Sequence, residues 1–96
     1  MPITRLVHMT YPAEKADNAA RYWKESCAPL MAAQSGCLAE ELLRRGDVPT
    51  EFVSFSLWDN EASIRKYLES DSYQKIRAHN LDNGATHVTI RLYEQA

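Results

Sequence analysis

Three kinds of side chain in this sequence can move a proton or hold an anion. His79 has the unperturbed pKa of a general base. Tyr67 and Tyr73 each combine a broad apolar ring with one hydroxyl able to hold or protonate an oxygen. Arg5, Arg44, Arg77 and Arg91 can hold a phenolate or a carboxylate where one stands on a sheet or helix face beside a ligand, and Arg77 is the best placed. Helical spacing gathers several of these groups. Ile64, Tyr67 and Leu68 share one face, and Tyr73, Ile76, Arg77 and Asn80 share another. His79, three residues past Ile76, is then expected to turn toward the same cleft as the two tyrosines. Trp23 falls on the apolar stripe of an earlier helix and lines that region, whereas Trp58 ends a strand and packs beneath the helix it introduces. His8 and His87 alternate with core residues in strand patterns and read as edge or interface histidines.

Other chemistries lack their residues. A zinc site needs three or four converging ligands, and no pair of His, Asp or Glu at helical spacing meets a third, so no metal is expected. Ser54 and Ser56 lie in a strand pattern without the strained turn that exposes a nucleophilic serine. Cys27 and Cys37 form no C-x-x-C motif and read as free thiols acting as small buried hydrophobes. A net charge of −2, with lysine and arginine spread along the chain, gives no basic face for phosphates, so no nucleic-acid partner is expected. No apolar run approaches the roughly 20 residues of a membrane helix. "MPITRLVHMTYP" lacks the apolar core of a signal peptide, and the expected location is cytoplasmic.

The elements that must position these groups follow from periodicity. Ninety-six residues make one domain. "ITRLVHMT" is a first strand. From Ala13 the apolar positions Ala16, Ala20, Trp23, Cys27 and Leu30/Met31 lay a stripe along a helix, with a bend expected near Ser26–Cys27 because Pro29 removes a backbone hydrogen bond. Gly36 stops that helix in the left-handed cap role. "CLAEELLRR" and "EFVSFSLW" pair as a hairpin around Gly46, Asp47 and Pro49. Asp59 or Asn60 caps a short helix, Asp71 with Gln74 resembles a capping box for the next, and Gly84 ends it. "THVTIRLYE" alternates Val88, Ile90 and Leu92 against His87, Thr89, Arg91 and Tyr93 as a last strand.

The order β-α-β-β-α(α)-β is that of an α+β ferredoxin-like sandwich, a four-stranded antiparallel sheet with helices on one face. The strands carry apolar residues on both faces: Ile3, Val7 and Met9 against Leu6, Leu38 and Leu42 against Cys37, Ala39 and Leu43, and Val53, Phe55 and Leu57 against Phe52 and Trp58. No helices remain to cover the second face. A homodimer packed sheet to sheet is therefore expected.

The glycine opening "GCLAEELLRR", the strand-to-helix junction "FVSFSLWDNEASIRKYLES" and the following "SDSYQKIRAHN" resemble the antibiotic biosynthesis monooxygenase domain, a family of dimeric α+β barrels. The most specific part is the junction from Trp58 to Ser63. The resemblance implies a cleft between helices and sheet and a small aromatic ligand, oxidised in one branch without flavin, metal or haem and in another branch by haem degradation. Cofactor-free oxygenation needs a substrate ionised to a phenolate or enolate, a base and a dry cavity. In that frame His79, Tyr73 and Tyr67 are the catalytic candidates and Trp23, Trp58 and Arg77 the substrate-binding ones. The haem branch has tryptophan and histidine where this chain has Tyr67 and Arg77, and an asparagine in the first strand that "ITRLVHMT" lacks, so haem is disfavoured and no cofactor is expected. Many members also carry a Ser-x-x-His pattern where this chain reads Ser70-Asp71-Ser72-Tyr73. That difference supports an alternative, a non-catalytic or stress-associated ligand-binding dimer on the same scaffold.

Overall fold

In the computed structural model, which describes residues 1–96, the chain begins with β1 (Ile3–Thr10) and α1 (Ala13–Tyr22), continues through a π-helical turn (Trp23–Cys27) into α2 (Ala28–Ala32), and forms β2 (Cys37–Arg44) and β3 (Glu51–Trp58). Then follow α3 (Glu61–Leu68), α4 (Asp71–Asp82) and β4 (Thr86–Glu94). The strands form one antiparallel sheet in the order β2-β3-β1-β4, the ferredoxin-like α+β arrangement. No helix is long and apolar enough to cross a membrane.

Alternation decides what each face of the sheet meets. In β1 Ile3, Arg5, Val7 and Met9 are buried toward the helices, and in β3 Phe52, Ser54, Ser56 and Trp58 join them. Leu6, Val53, Phe55 and Leu57 point to the other side, where they stay partly exposed. The expected two-faced sheet is therefore present. One assignment in β2 changes. A register shift between Cys37 and Ala39 puts Cys37, not Leu38, on the helix face with Leu42, and Leu38 is left exposed. A bulge absorbs one residue and reverses the alternation before it.

The helical stripe is Ala16, Ala19, Trp23, Cys27 and Met31, all buried. The bend expected from Pro29 takes the form of a π-helical turn just ahead of it, in which the Ala28 N–H reaches back five residues to the Trp23 carbonyl. The wider turn makes room where a proline ring otherwise collides with the preceding turn of helix. Gly36 adopts φ +88°, as its cap role requires, and its carbonyl accepts from the Asp59 N–H at 2.9 Å. Asn60 caps α3 by accepting from the Ser63 N–H at 3.0 Å. The cap of α4 is Ser70 rather than Asp71: its hydroxyl accepts from the Tyr73 N–H at 3.1 Å and donates to the Tyr67 carbonyl at 2.6 Å. Asp71 becomes the first helical residue, where its charge suits the positive end of the helix dipole.

Candidate active site

The helices do not reach over β4, so Val88, Ile90 and Leu92 remain about half exposed although they lie on the helix face. Between that strand and α4 a cleft of about 380 Å³ opens, within the size range of small-molecule sites. Its floor is Arg5 and Val7 of β1 and Ser54 of β3, with Val88 and Ile90 along one side. Tyr73, Ile76, Arg77 and Asn80 of α4 form the opposite wall, the single helical stripe expected from their spacing. Ten of its fourteen lining residues are hydrophobic, among them Tyr67 and Trp23.

An aromatic cluster backs the cleft. Trp58 is fully buried, and its indole Nε1 donates to the Ser56 hydroxyl at 2.8 Å, which satisfies both groups where no water reaches. The Tyr67 ring lies 5.1 Å from it, centroid to centroid, and Tyr73 meets Tyr67 edge-on at 5.4 Å. The Arg5 guanidinium stands over the Tyr67 ring at 6.0 Å from its centroid. Burial raises the Tyr67 phenol well above its ordinary range, against the opposing pull of the Arg5 charge, so this hydroxyl is neutral at pH 7 and can donate. The Tyr11 hydroxyl donates to Asn80 Oδ1 at 2.7 Å and ties the turn that follows β1 to α4.

Of the six residues expected to build the site, the structure brings four to the cleft: Tyr67, Tyr73, Trp23 and Arg77, the last at its solvent side. Trp58 supports Tyr67 from behind and does not line the cavity. His79 does not enter it. The side of α4 that carries residue 79 faces α1, where the imidazole stacks on Tyr22 with centroids 5.0 Å apart and planes inclined by 18°. Its Nδ1 accepts from Asn83 Nδ2 at 3.1 Å, and burial lowers its pKa below the usual histidine range. The expectation that His79 turns into the cleft fails on helical phase: Ile76 and Asn80 hold the inward stripe, and position 79 falls on the far side of it.

Of the four arginines that the sequence offers as anion holders, Arg5 as well as the preferred Arg77 lines the cleft. Arg5 is 5% exposed, and desolvation lowers its pKa. Its position among Ile3, Val7 and Met9 already marks it as inward-facing, a signal outweighed by the habit of reading arginine as a surface residue. Neither cysteine bears on the site as a nucleophile: both are free thiols, and burial pushes Cys27 up to about 11. No group of three or more His, Cys, Asp or Glu is placed to hold a metal ion.

The chain is thus a ferredoxin-like α+β domain with an aromatic-lined cleft between its sheet and its last helix. The chain belongs to the antibiotic biosynthesis monooxygenase family, whose pattern matches residues 2–79. Solved structures of the same fold include SnoaB of Streptomyces nogalater, a cofactor-independent oxygenase that is 16% identical, with 99% of this chain and 93% of that one covered and a TM-score of 0.81. Rv0793 of Mycobacterium tuberculosis is 19% identical, with 100% and 96% covered and a TM-score of 0.81. A conserved protein of Methanosarcina mazei is 18% identical, with 100% and 95% covered and a TM-score of 0.85. At these identities the likeness concerns the fold. No curated protein matches the sequence.

Proposed function

We propose that the cleft binds a small hydroxylated aromatic or quinol and that the protein oxidises it with molecular oxygen, without flavin, metal or haem. The observation that carries this reading is the Tyr67–Tyr73 pair, two polar-tipped rings on the wall of a largely apolar cavity. Membership of the family and the activity of SnoaB support it. Tyr67 and Tyr73 orient the ligand's oxygen substituents, with Trp23 and Arg77 as further ligand contacts. The chemistry balances without a second reductant: an anthrone and O₂ give the anthraquinone and one water, the ring carbon losing two hydrogens and gaining one oxygen. Oxygen uptake with a panel of quinols and anthrones, with ¹⁸O₂ incorporation read by mass spectrometry, tests it. Failure of every member of the panel to consume oxygen would exclude this substrate class.

A second reading has an observation of its own. The cleft holds no histidine or carboxylate to act as base, which favours a ligand-binding protein without turnover. Aromatics that bind and are recovered unchanged under oxygen would select it. In both readings the proposed working unit is a homodimer packed through the outer sheet face, a reading that the partly exposed Leu6, Val53, Phe55 and Leu57 support.

A further inference from the structure

We propose that Arg5 is the anion-binding group of the cleft and that it selects a hydroxylated aromatic bound as its delocalised oxyanion, the proton being lost to solvent rather than to a protein base. This rests on the aromatic-ligand reading above. Arg5 projects from the middle of the helix face, between Ser56 of β3 and Leu92 of β4 in the strand register. It is more than nine-tenths buried, yet it borders the cavity.

An arginine keeps its charge at any physiological pH, and a buried charge is ordinarily paired with a carboxylate. Arg5 takes part in none of the four ion pairs of the protein. Its aromatic partner, Tyr67, offers a ring face and a neutral hydroxyl, not a counter-charge. The other titratable groups turned toward this region are Tyr73 and Arg77 of α4, the thiols of Cys27 and Cys37 behind Tyr67, and Glu40, which lies on the same sheet face beyond Ser56. Only Glu40 is acidic at pH 7, and it is neither paired with Arg5 nor part of the cleft lining.

The missing negative charge is therefore supplied by the ligand. Burial by itself hinders ionisation, as it does for Tyr67, but a phenol or enol oxygen that pairs directly with the fixed guanidinium ionises more readily than in water, because the contacting opposite charge outweighs that cost. Water takes the proton, and the oxyanion left behind is the electron-rich species that cofactor-free oxygenation requires. No base is needed for a substrate already acidic near neutrality. The chemical class is thus an acidic hydroxyarene or an enolisable ketone fused to aromatic rings.

The probe is 4-nitrophenol, whose phenolate is read by its visible absorbance. Bound to the wild-type protein, it is expected to ionise about 1 pH unit or more below its value in water. Arg5→Met should abolish that shift and weaken phenolate binding at least tenfold, and Arg5→Lys should retain part of both. The thermal midpoint of ligand-free Arg5→Met should equal or exceed that of the wild type, since the variant removes an unpaired buried charge. A purely structural arginine would move it the other way. Bound nitrophenol that ionises at or above its free value, no binding at all, or an unchanged Arg5→Met protein would overturn the proposal. So would 4-nitrobenzoate binding through Arg5 while nitrophenol ionisation stays unmoved, which would mark a carboxylate site. An Arg5-dependent shift without oxygen uptake keeps this inference and removes the oxygenase reading. Oxygen uptake undiminished in Arg5→Met does the reverse.

Discussion

Tyr67 is clasped between two buried neighbours, the Arg5 guanidinium over its ring at 6.0 Å and the Trp58 indole against it at 5.1 Å. A ring so held serves as wall and support at once, and its two roles separate by mutation. Tyr67→Phe keeps the ring and should change stability by less than about 1 kcal/mol, since only an isolated hydroxyl is lost. Tyr67→Ala empties the centre of the cluster and should cost about 3–5 kcal/mol. Chemical denaturation of both variants checks this, and a large loss in Tyr67→Phe would show that the hydroxyl is structural.

The corner at Trp58 rests on a glycine far away in sequence. A Cβ at Gly36 would run into the Ser63 side chain and Asp59 Oδ1, in a backbone conformation at φ +88° that L side chains avoid. Gly36→Ala should destabilise the fold by about 2 kcal/mol or more, combining strain with collision. Gly46, with nothing within 4 Å of an added Cβ, provides the control. Gly46→Ala should stay within about 0.5 kcal/mol of wild type in the same denaturant series.

Ser56 and Trp58 form a closed polar pair in the core. The Ser56 hydroxyl is the acceptor for the indole N–H at 2.8 Å, and both residues are buried. Ser56→Ala orphans the indole and should cost about 1–3 kcal/mol, although only one oxygen is removed. Trp58→Phe in the Ser56→Ala background removes the orphan as well. The double variant should then lose less than the sum of the singles, a non-additivity that a double-mutant cycle measures directly.

Element order was readable because strands and helices here keep clean periods, and the turns carry Gly36, Gly46, Pro49 and Gly84 at their expected places. Where local chemistry competes, reading failed by a residue or a face. Ser70 and Asp71 are both good caps, and only the hydroxyl's second bond to the Tyr67 carbonyl decides between them. The bulge at Leu38 has no signature in "GCLAEELLRR", since an extra residue in a strand is a matter of pairing. The site was legible as a stripe, Tyr73, Ile76, Arg77 and Asn80, but not in its polar detail. His79 lies beside that stripe and was drawn into it, whereas Arg5 lay in plain alternation on a strand whose charge argued against burial.

Neutral His79 links stability to pH. Burial lowers its pKa in the folded protein, so protonation is easier in the unfolded chain, and the unfolded state binds more protons between the two values. The stabilising preference for the neutral ring is complete above about 6.5, the ordinary histidine value, and is lost as pH falls through the folded one. The thermal midpoint should therefore decline from pH 7 to pH 5, and decline less in His79→Gln. A wild-type midpoint flat over this range would contradict the placement of His79 between α1 and α4.

The outer face of the sheet gives the test of assembly. Leu6, Val53, Phe55 and Leu57 lie together on strands β1 and β3 without a helix above them, and Leu43 of β2, 46% exposed, extends the patch to the sheet edge. An apolar surface continuous over three strands is costly in water and is ordinarily covered by another chain. A second copy is the economical cover, because a two-fold axis lying in the interface, parallel to the sheet face, lays the same patch on itself. Sedimentation or light scattering at micromolar concentration should give twice the chain's 11.0 kDa. Phe55→Glu places a charge at the centre of the patch and should yield a monomer. Phe55 points away from the helix-face core, so the variant should keep the wild-type circular dichroism spectrum. A wild-type mass of one chain would refute the dimer outright, and a Phe55→Glu protein that remains dimeric would move the interface to another face.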